Sequence, residues 1–506
     1  MRREDVRNIA LGVILFLALV VQLRGAVVDD TFIHLQYARN LAEAGELSFN
    51  RGDPSYGATS PLWVALLALL HRWGADGVVA CRILASLFAV GSIALVYRLV
   101  AALDGRTSAP FAAALILAAD AWFVRWSAVG METSFAVFMT LLACVASRGA
   151  ARSLTRSALF GVALLSAALA RPEALLLVPI ATIAFLVARG SPRRLFFLAV
   201  FIPLFTAWLY LVHRHTGSFF PLTAGAKQGS PALSLATIGR LFVSVRIVGA
   251  TIVLPCLALG AALLIGVVRH RSLGRYLCGA ESIREEPAAL LMLLWVFALP
   301  LAYAVLDFQV LSRYLVPVIA AAVALGVIAW RRMLSRVRNR GGSRRTAIVI
   351  FTVLTVLQSV CMYELVVVPP TRDFSRGLEK TLAAMGKWLE KNSPPDALVA
   401  TPDIGAVGWY SRRNVLDLGG LVSPEINRMR REIDVERIIE EGLYLEFRPD
   451  YCIDRSESPL RFADRVIRGV RFKSLMQGTV ANLGIRKQAP VVYVLYRLEP
   501  AAEESE

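Results

Sequence analysis

Two adjacent carboxylates, Asp29 and Asp30, follow an apolar segment ending near Leu23, within Val27-Val28-Asp29-Asp30-Thr31-Phe32-Ile33-His34. An acid at a membrane edge is costly unless it faces water, a metal or a partner, which makes this pair a candidate site. A positioned carboxylate can take the proton of an attacking hydroxyl, or hold a divalent cation beside a leaving phosphate. Asp30 and Thr31 precede a helical pattern with Ile33, Tyr37 and Leu41 on one face, running from Thr31 to Ala44 and closing near Gly45. Either residue is an ordinary N-cap there, so Asp30 serves equally as cap or as catalytic acid. Asp29 lies outside the expected helix, has no such structural duty, and is the preferred catalytic residue.

A phosphate leaving group departs without protonation and calls for cations rather than a second acid. Lys227 is the only lysine before Lys380 in a chain that otherwise uses arginine. It is a compact charge suited to phosphate, against the plain alternative of a solvated loop lysine. Arg313, in Ser312-Arg313-Tyr314-Leu315, is a phosphate clamp or a snorkelling interfacial arginine. Arg171, in Arg171-Pro172-Glu173, is a third phosphate candidate with Glu173 as an acceptor contact, unless the two pair and shape the turn. Glu132, in Gly130-Met131-Glu132-Thr133, opens a span whose positive helix end suits a carboxylate. Its alternatives are capping, acceptor binding and, with Asp29, a divalent metal, the one cofactor these residues suggest. His34 reaches the same region from the Asp30 helix, and none of the five histidines shows H-E-x-x-H spacing.

These residues must be positioned by a membrane protein. The 506-residue chain is 56% hydrophobic with a mean hydropathy of +0.57. Apolar runs of spanning length, roughly 20 residues, recur up to about Val366. Eleven spans are expected, near 8–24, 79–103, 109–124, 132–148, 157–170, 172–189, 195–212, 248–268, 287–306, 314–330 and 346–366. The run Pro61 to Leu70 is too short to cross and reads as a juxtamembrane helix or re-entrant segment. With it excluded, the arginine-rich loops all fall inside, which puts the N-terminus inside as well. Asp29, Asp30, Glu132, Arg171, Glu173, Lys227 and Arg313 then fall outside. Met1-Arg2-Arg3 and the apolar run to Leu23 read as an uncleaved signal anchor. The net charge of +17 sits in loops between apolar runs, a pattern that argues against nucleic acid as a partner.

From Pro369 the texture becomes charged, so the chain divides into a membrane domain at 1–368, with a first outer loop at 25–78, and a soluble domain at 369–506. Alternating short apolar runs and helical stretches make that domain α/β. Gly405 and Gly408 do not make a G-x-G-x-x-G motif, and the six cysteines form no C-x-x-C pair. Trp409 and Tyr410 either stack on sugar or fill a core or interface.

Taken in order, Asp29-Asp30 with Tyr37-Ala38-Arg39-Asn40, Ser55-Tyr56-Gly57 with Thr59-Ser60-Pro61-Leu62-Trp63, Gly130 to Thr133, Arg171-Pro172-Glu173, Pro221 to Lys227 and Arg313-Tyr314-Leu315-Val316-Pro317 form a series. The series resembles the GT-C membrane glycosyltransferases. It is most similar to the group around the terminal mycobacterial arabinofuranosyltransferases, and more distantly to aminoarabinose lipid A transferases and protein O-mannosyltransferases. The resemblance implies a polytopic α-helical membrane protein of GT-C type, with about 11 transmembrane helices and a C-terminal soluble α/β domain. It also implies an inverting glycosyltransferase of cell-envelope synthesis. Such an enzyme moves a sugar from a polyprenyl-phosphate donor to a glycan, lipid or protein acceptor outside the cytoplasmic membrane. On that pattern Asp29 is the catalytic or metal-linked acid, and Lys227 and Arg313 touch the donor phosphate. Beside these, His34, Tyr56, Glu132, Glu173, Trp409 and Tyr410 are the candidate substrate or acceptor contacts. Relatives read Pro-Asn-Thr where this chain has Pro221-Leu222-Thr223, so any polar duty of that Asn is missing. The competing readings are an oligosaccharide or O-antigen ligase, a lipid-glycan transporter, and a non-catalytic scaffold. Transporters bind at the midplane with broken helices and internal repeats, whereas here the polar groups fall on the outer face and no repeat is evident.

Overall fold

The computed structural model describes residues 2–105, 108–187, 192–223, 235–268, 273–278, 286–336, 341–458, 460–485 and 489–501. Lys227 lies outside the described residues. The chain forms two compact units. The first gathers the described parts of Met1–Arg24, Arg82–Trp208 and Gln228–Val368. The second gathers those of Gly25–Cys81, Leu209–Lys227 and Pro369–Glu506.

The first unit is helical. Among the described residues of the chain, eight helical stretches are long and apolar enough to cross a membrane, beginning at Arg3, Gly77, Thr133, Phe196, Leu235, Pro287, Ser312 and Arg344. The protein is therefore a multi-pass membrane protein. A ninth candidate is the pair Ala109–Ala119 and Ala121–Ala128, bent by 55°. The expected spans at 157–170 and 172–189 correspond to the shorter apolar helices Leu154–Ala170 and Pro172–Val187, so length alone does not reach eleven. The outer helices expose apolar side chains such as Leu11, Ile14 and Leu17 on the first and Ile83 and Leu87 on Gly77–Asp104, as lipid contact requires. Ser312–Leu334 is buried along nearly its whole length. Small residues let neighbouring helices approach it closely: a Cβ at Gly326 would run into the Pro255 carbonyl.

Two helices of this unit are broken where the sequence predicts straight spans. The expected span at 109–124 stops at Ala119 because Asp120 leaves the helix and caps the next one, its Oδ1 accepting from the Phe123 N–H at 2.9 Å. The Ser359 hydroxyl accepts from the Ala121 N–H at 2.9 Å. The long helix Leu235–Val268 is interrupted at Ile252 (φ −135°, ψ 46°), three residues before Pro255. Gln358 fills that gap, accepting from the Val253 N–H and donating to the Gly249 carbonyl. Backbone groups freed inside a bilayer must find such partners.

In the second unit the helix Asp29–Ala44 begins two residues earlier than expected and ends at Gly45 in the left-handed conformation (φ 73°). Pro61–Arg72 is a 12-residue helix packed against it. Strands β1 (Ser48–Asn50) and β2 (Asp53–Pro54) make a small hairpin between them. The helix Val368–Leu378 runs through Pro369 and Pro370, where the change of texture alone suggests an end. The π turn Tyr363–Val367 just before them accommodates rings that clash in an ordinary turn.

The terminal sheet contains β3 (Leu398–Thr401), β4 (Asn414–Asp417), β5 (Tyr451–Ser456), β6 (Val466–Ile467), β7 (Val470–Val480) and β8 (Val491–Pro500). Their order is β4-β3-β5-β8-β7-β6, parallel among β4, β3 and β5 and antiparallel from β5 to β6. Ile426, Ile438, Tyr444, Phe462 and Phe472 pack with Cys452, Val494 and Tyr496 of the sheet in one core. None of the six cysteines forms a disulfide.

Candidate functional site

Asp29 has a structural duty after all. It is the first residue of its helix rather than a residue outside it, and the N-cap position falls to Val28 instead of Asp30 or Thr31. The Asp29 carboxylate accepts from two backbone N–H groups of the terminal domain, Gly405 to Oδ2 and Ala406 to Oδ1, each at 2.8 Å. These open the short helix Gly405–Ser411, where a carboxylate satisfies amides that have no partner inside the helix. Asp403 stands nearby, paired with Arg455 at 3.0 Å and accepting from the Tyr493 hydroxyl at 2.8 Å. Burial, together with the Asp403 charge, raises Asp29 to a pKa of about 7 against the opposing pull of the two amides. A carboxylate poised there can accept a proton near neutrality.

The Tyr37-Ala38-Arg39-Asn40 series proves to be lacing within this unit. The Tyr37 hydroxyl contacts Ser55 Oγ at 3.1 Å and accepts from the Gly57 N–H at 2.9 Å. Asn40 donates to the carbonyls of Ser48 and Phe49, and Arg39 donates to Gln36 and to the Trp409 carbonyl. Arg39 also lies 4.6 Å from the Trp409 ring centre, while Tyr410 meets Phe32 at 5.4 Å and Lys387 at 4.9 Å. Trp409 and Tyr410 are thus half-buried interface aromatics packed on the helix Asp29–Ala44. Tyr56 is buried, its carbonyl accepting from the Leu222 N–H at 2.8 Å, and His34 is buried on the same helix as Asp29. Asp30 is half-buried beside them.

A second polar assembly lies inside the helical unit. Arg171 binds both Glu132 and Glu173, and the Tyr303 hydroxyl bonds Glu173. Glu132 is only 2% exposed and occupies the N-cap position of Thr133–Ala150, yet its side chain makes no cap bond and goes to Arg171 instead. The pairing of Arg171 with Glu173 is the turn-shaping alternative, extended to a second acid. Arg313 is buried rather than snorkelling, its guanidinium 5.6 Å from the Trp126 ring centre and 5.2 Å from that of Tyr314. The Trp126 indole N–H donates to Ser312 Oγ at 2.9 Å, and Arg125 lies 4.4 Å over the same indole.

Glu132, Glu173, Arg171 and Arg313 are therefore gathered in one unit, and Asp29, Asp30, His34, Tyr56, Trp409 and Tyr410 belong to the other. Among the described residues no three of His, Cys, Asp or Glu come together as a metal cage. Sequence reasoning overlooked Arg125, Asp120 and the partners of Asp29. The first two carried a signal, since each is a charge inside the run from Ala109 to Trp126, where membrane helices seldom place one without a function.

No curated protein matches the sequence. A family model described as "Domain of unknown function (DUF8728)" matches residues 373–496, which lie in the terminal domain. Solved structures are more telling. ArnT from Cupriavidus metallidurans bound to undecaprenyl phosphate is similar at a TM-score of 0.57 and 16% identity, over 97% of each chain. The archaeal oligosaccharyltransferase AglB from Archaeoglobus fulgidus, in complex with an inhibitory peptide and a dolichol-phosphate, reaches 0.59 at 13% identity over 89% of this chain and 69% of its own. The arabinofuranosyltransferase AftD from Mycobacteria reaches 0.56 at 16% identity, over all of this chain and 40% of its own. Likeness this long at such low identity speaks for architecture, and the architecture is the GT-C fold.

Proposed function

We propose that the protein is an inverting glycosyltransferase that moves a sugar from a polyprenyl-phosphate donor to a hydroxyl-bearing acceptor outside the cytoplasmic membrane. The observation that carries this reading is the shared fold over 97% of the chain with ArnT, whose structure holds undecaprenyl phosphate. The acceptor oxygen attacks the anomeric carbon, the bond from that carbon to the phosphate oxygen breaks with inversion, and Asp29 takes the hydroxyl proton. The lipid phosphate leaves as an anion, with Lys227 and Arg313 offsetting its charge. Arg171, already bound to two glutamates, holds Glu132 and Glu173 in place. The ordered motif series similar to arabinofuranosyltransferases makes a pentose the first sugar to test.

Purified protein in nanodiscs, assayed with a panel of polyprenyl-phosphate sugars with and without chelator, tests the activity. Asp29→Asn is expected to abolish transfer while retaining donor binding, and normal turnover by that variant removes Asp29 from the mechanism. The likeness to an oligosaccharyltransferase favours one second reading, transfer of a preassembled glycan. Turnover of diphosphate-linked oligosaccharide donors alone would support it.

A further inference from the structure

Among the described residues, Arg125 is a buried cation with no ion-pair partner. It sits on Ala121–Ala128, the short helix that Asp120 starts by breaking the preceding one. The residue is 7% exposed, and its buried Nε–H has no acceptor among the described residues. Glu132 and Glu173, the buried acids of this unit's second polar assembly, are both bound to Arg171. The Arg313 guanidinium acts on Arg125 as a like charge. Both guanidinium groups reach one indole, that of Trp126, which the Ser312 hydroxyl holds in place. Burying one unpaired charge is costly, and drawing a like charge to the same ring adds to that cost. An anion between or beside the two arginines would remove both penalties, and guanidinium forks match the oxygens of phosphate.

We propose that Arg125 and Arg313, ordered by Trp126, form a site for the phosphate group of a polyprenyl-phosphate lipid, with Arg125 a direct ligand. The choice of a lipid phosphate over a free one rests on the proposed function. The arginine pair itself does not. Arg171 is excluded as a ligand of this site because two carboxylates already neutralise it.

The test measures equilibrium binding of labelled undecaprenyl phosphate to the full-length protein in nanodiscs, with undecaprenol and inorganic phosphate as parallel probes. Arg125→Gln is expected to weaken binding of the lipid phosphate at least tenfold and Arg125→Lys to weaken it less. Undecaprenol partitioning should stay the same. Because Arg125→Gln removes a buried cation that no described carboxylate pairs, its ligand-free thermal stability should not fall. Unchanged affinity in Arg125→Gln overturns the site. So does a loss of binding that tracks a loss of ligand-free stability in both variants, since that is the behaviour of a structural arginine. If wild-type protein binds inorganic phosphate through Arg125 but not the lipid phosphate, the anion site stands and the lipid donor reading fails.

Discussion

Gly405 has no room for a side chain, because a Cβ there would lie 2.8 Å from the Asp29 carboxyl carbon and closer still to the Asp29 carbonyl. Its contribution is a backbone N–H delivered at short range to the nominated base. Gly405→Ala is expected to lower kcat at least tenfold by shifting Asp29. Gly408→Ala, which meets the Phe49 ring instead, should lower thermal stability while sparing kcat. Comparing the two variants' melting and turnover separates positioning from packing. Asp29 also sets two opposite pH trends. With its native pKa raised to about 7, against about 3.9 in an unfolded chain, the folded protein binds more protons between those values. Its contribution to stability therefore falls as pH rises across that window and is level above it. Transfer, which needs the carboxylate, should rise through about pH 7. A kcat/KM profile lacking that acid limb, or one in which Asp29→Asn keeps it, would assign the limb elsewhere.

At the scale of elements, Arg171 joins the entry to Pro172–Val187 to the entry of Thr133–Ala150 through its two glutamates. Arg171→Gln leaves both acids without a cation in a buried place. It should destabilise the helical unit by about 3–5 kcal/mol, read as a lowered unfolding midpoint in detergent. Glu132→Gln should cost less, since an amide oxygen still accepts from Arg171. The motif Arg171-Pro172-Glu173 was legible in the sequence, but its second partner was not. Glu132 lies 39 residues away, and only packing of separate helices could join them. The break at Asp120 is the reverse case. An acid in an apolar run pointed to it, but averaging hydropathy over a spanning window erases a single residue. The same averaging hid Arg125.

At the scale of the molecule, the loop helix Asp29–Ala44 folds with the terminal domain, through Asp29, Arg39 and the Trp409 ring. A chain ending at Val368 is therefore expected to insert its helices but leave residues 25–81 without their packing partners. Limited proteolysis should cut it at Arg39 and Arg51, where the full chain resists at Arg39, a buried position. Equal protection of Arg39 in the shortened chain would refute the dependence. Composition and hydropathy by themselves determined a multi-pass membrane protein, because apolar length and period are local properties that burial demands of any such chain. That residues 25–81 belong to one compact unit with the C-terminal residues was not in them. The resemblance carried by the ordered motifs likewise pointed to the GT-C fold. Only the tertiary structure decided what the motif residues touch. Hydrogen bonds between residues hundreds of positions apart leave no periodic trace, so Asp29, read as free of structural duty, proved to be the acid that holds the Gly405–Ala406 amides.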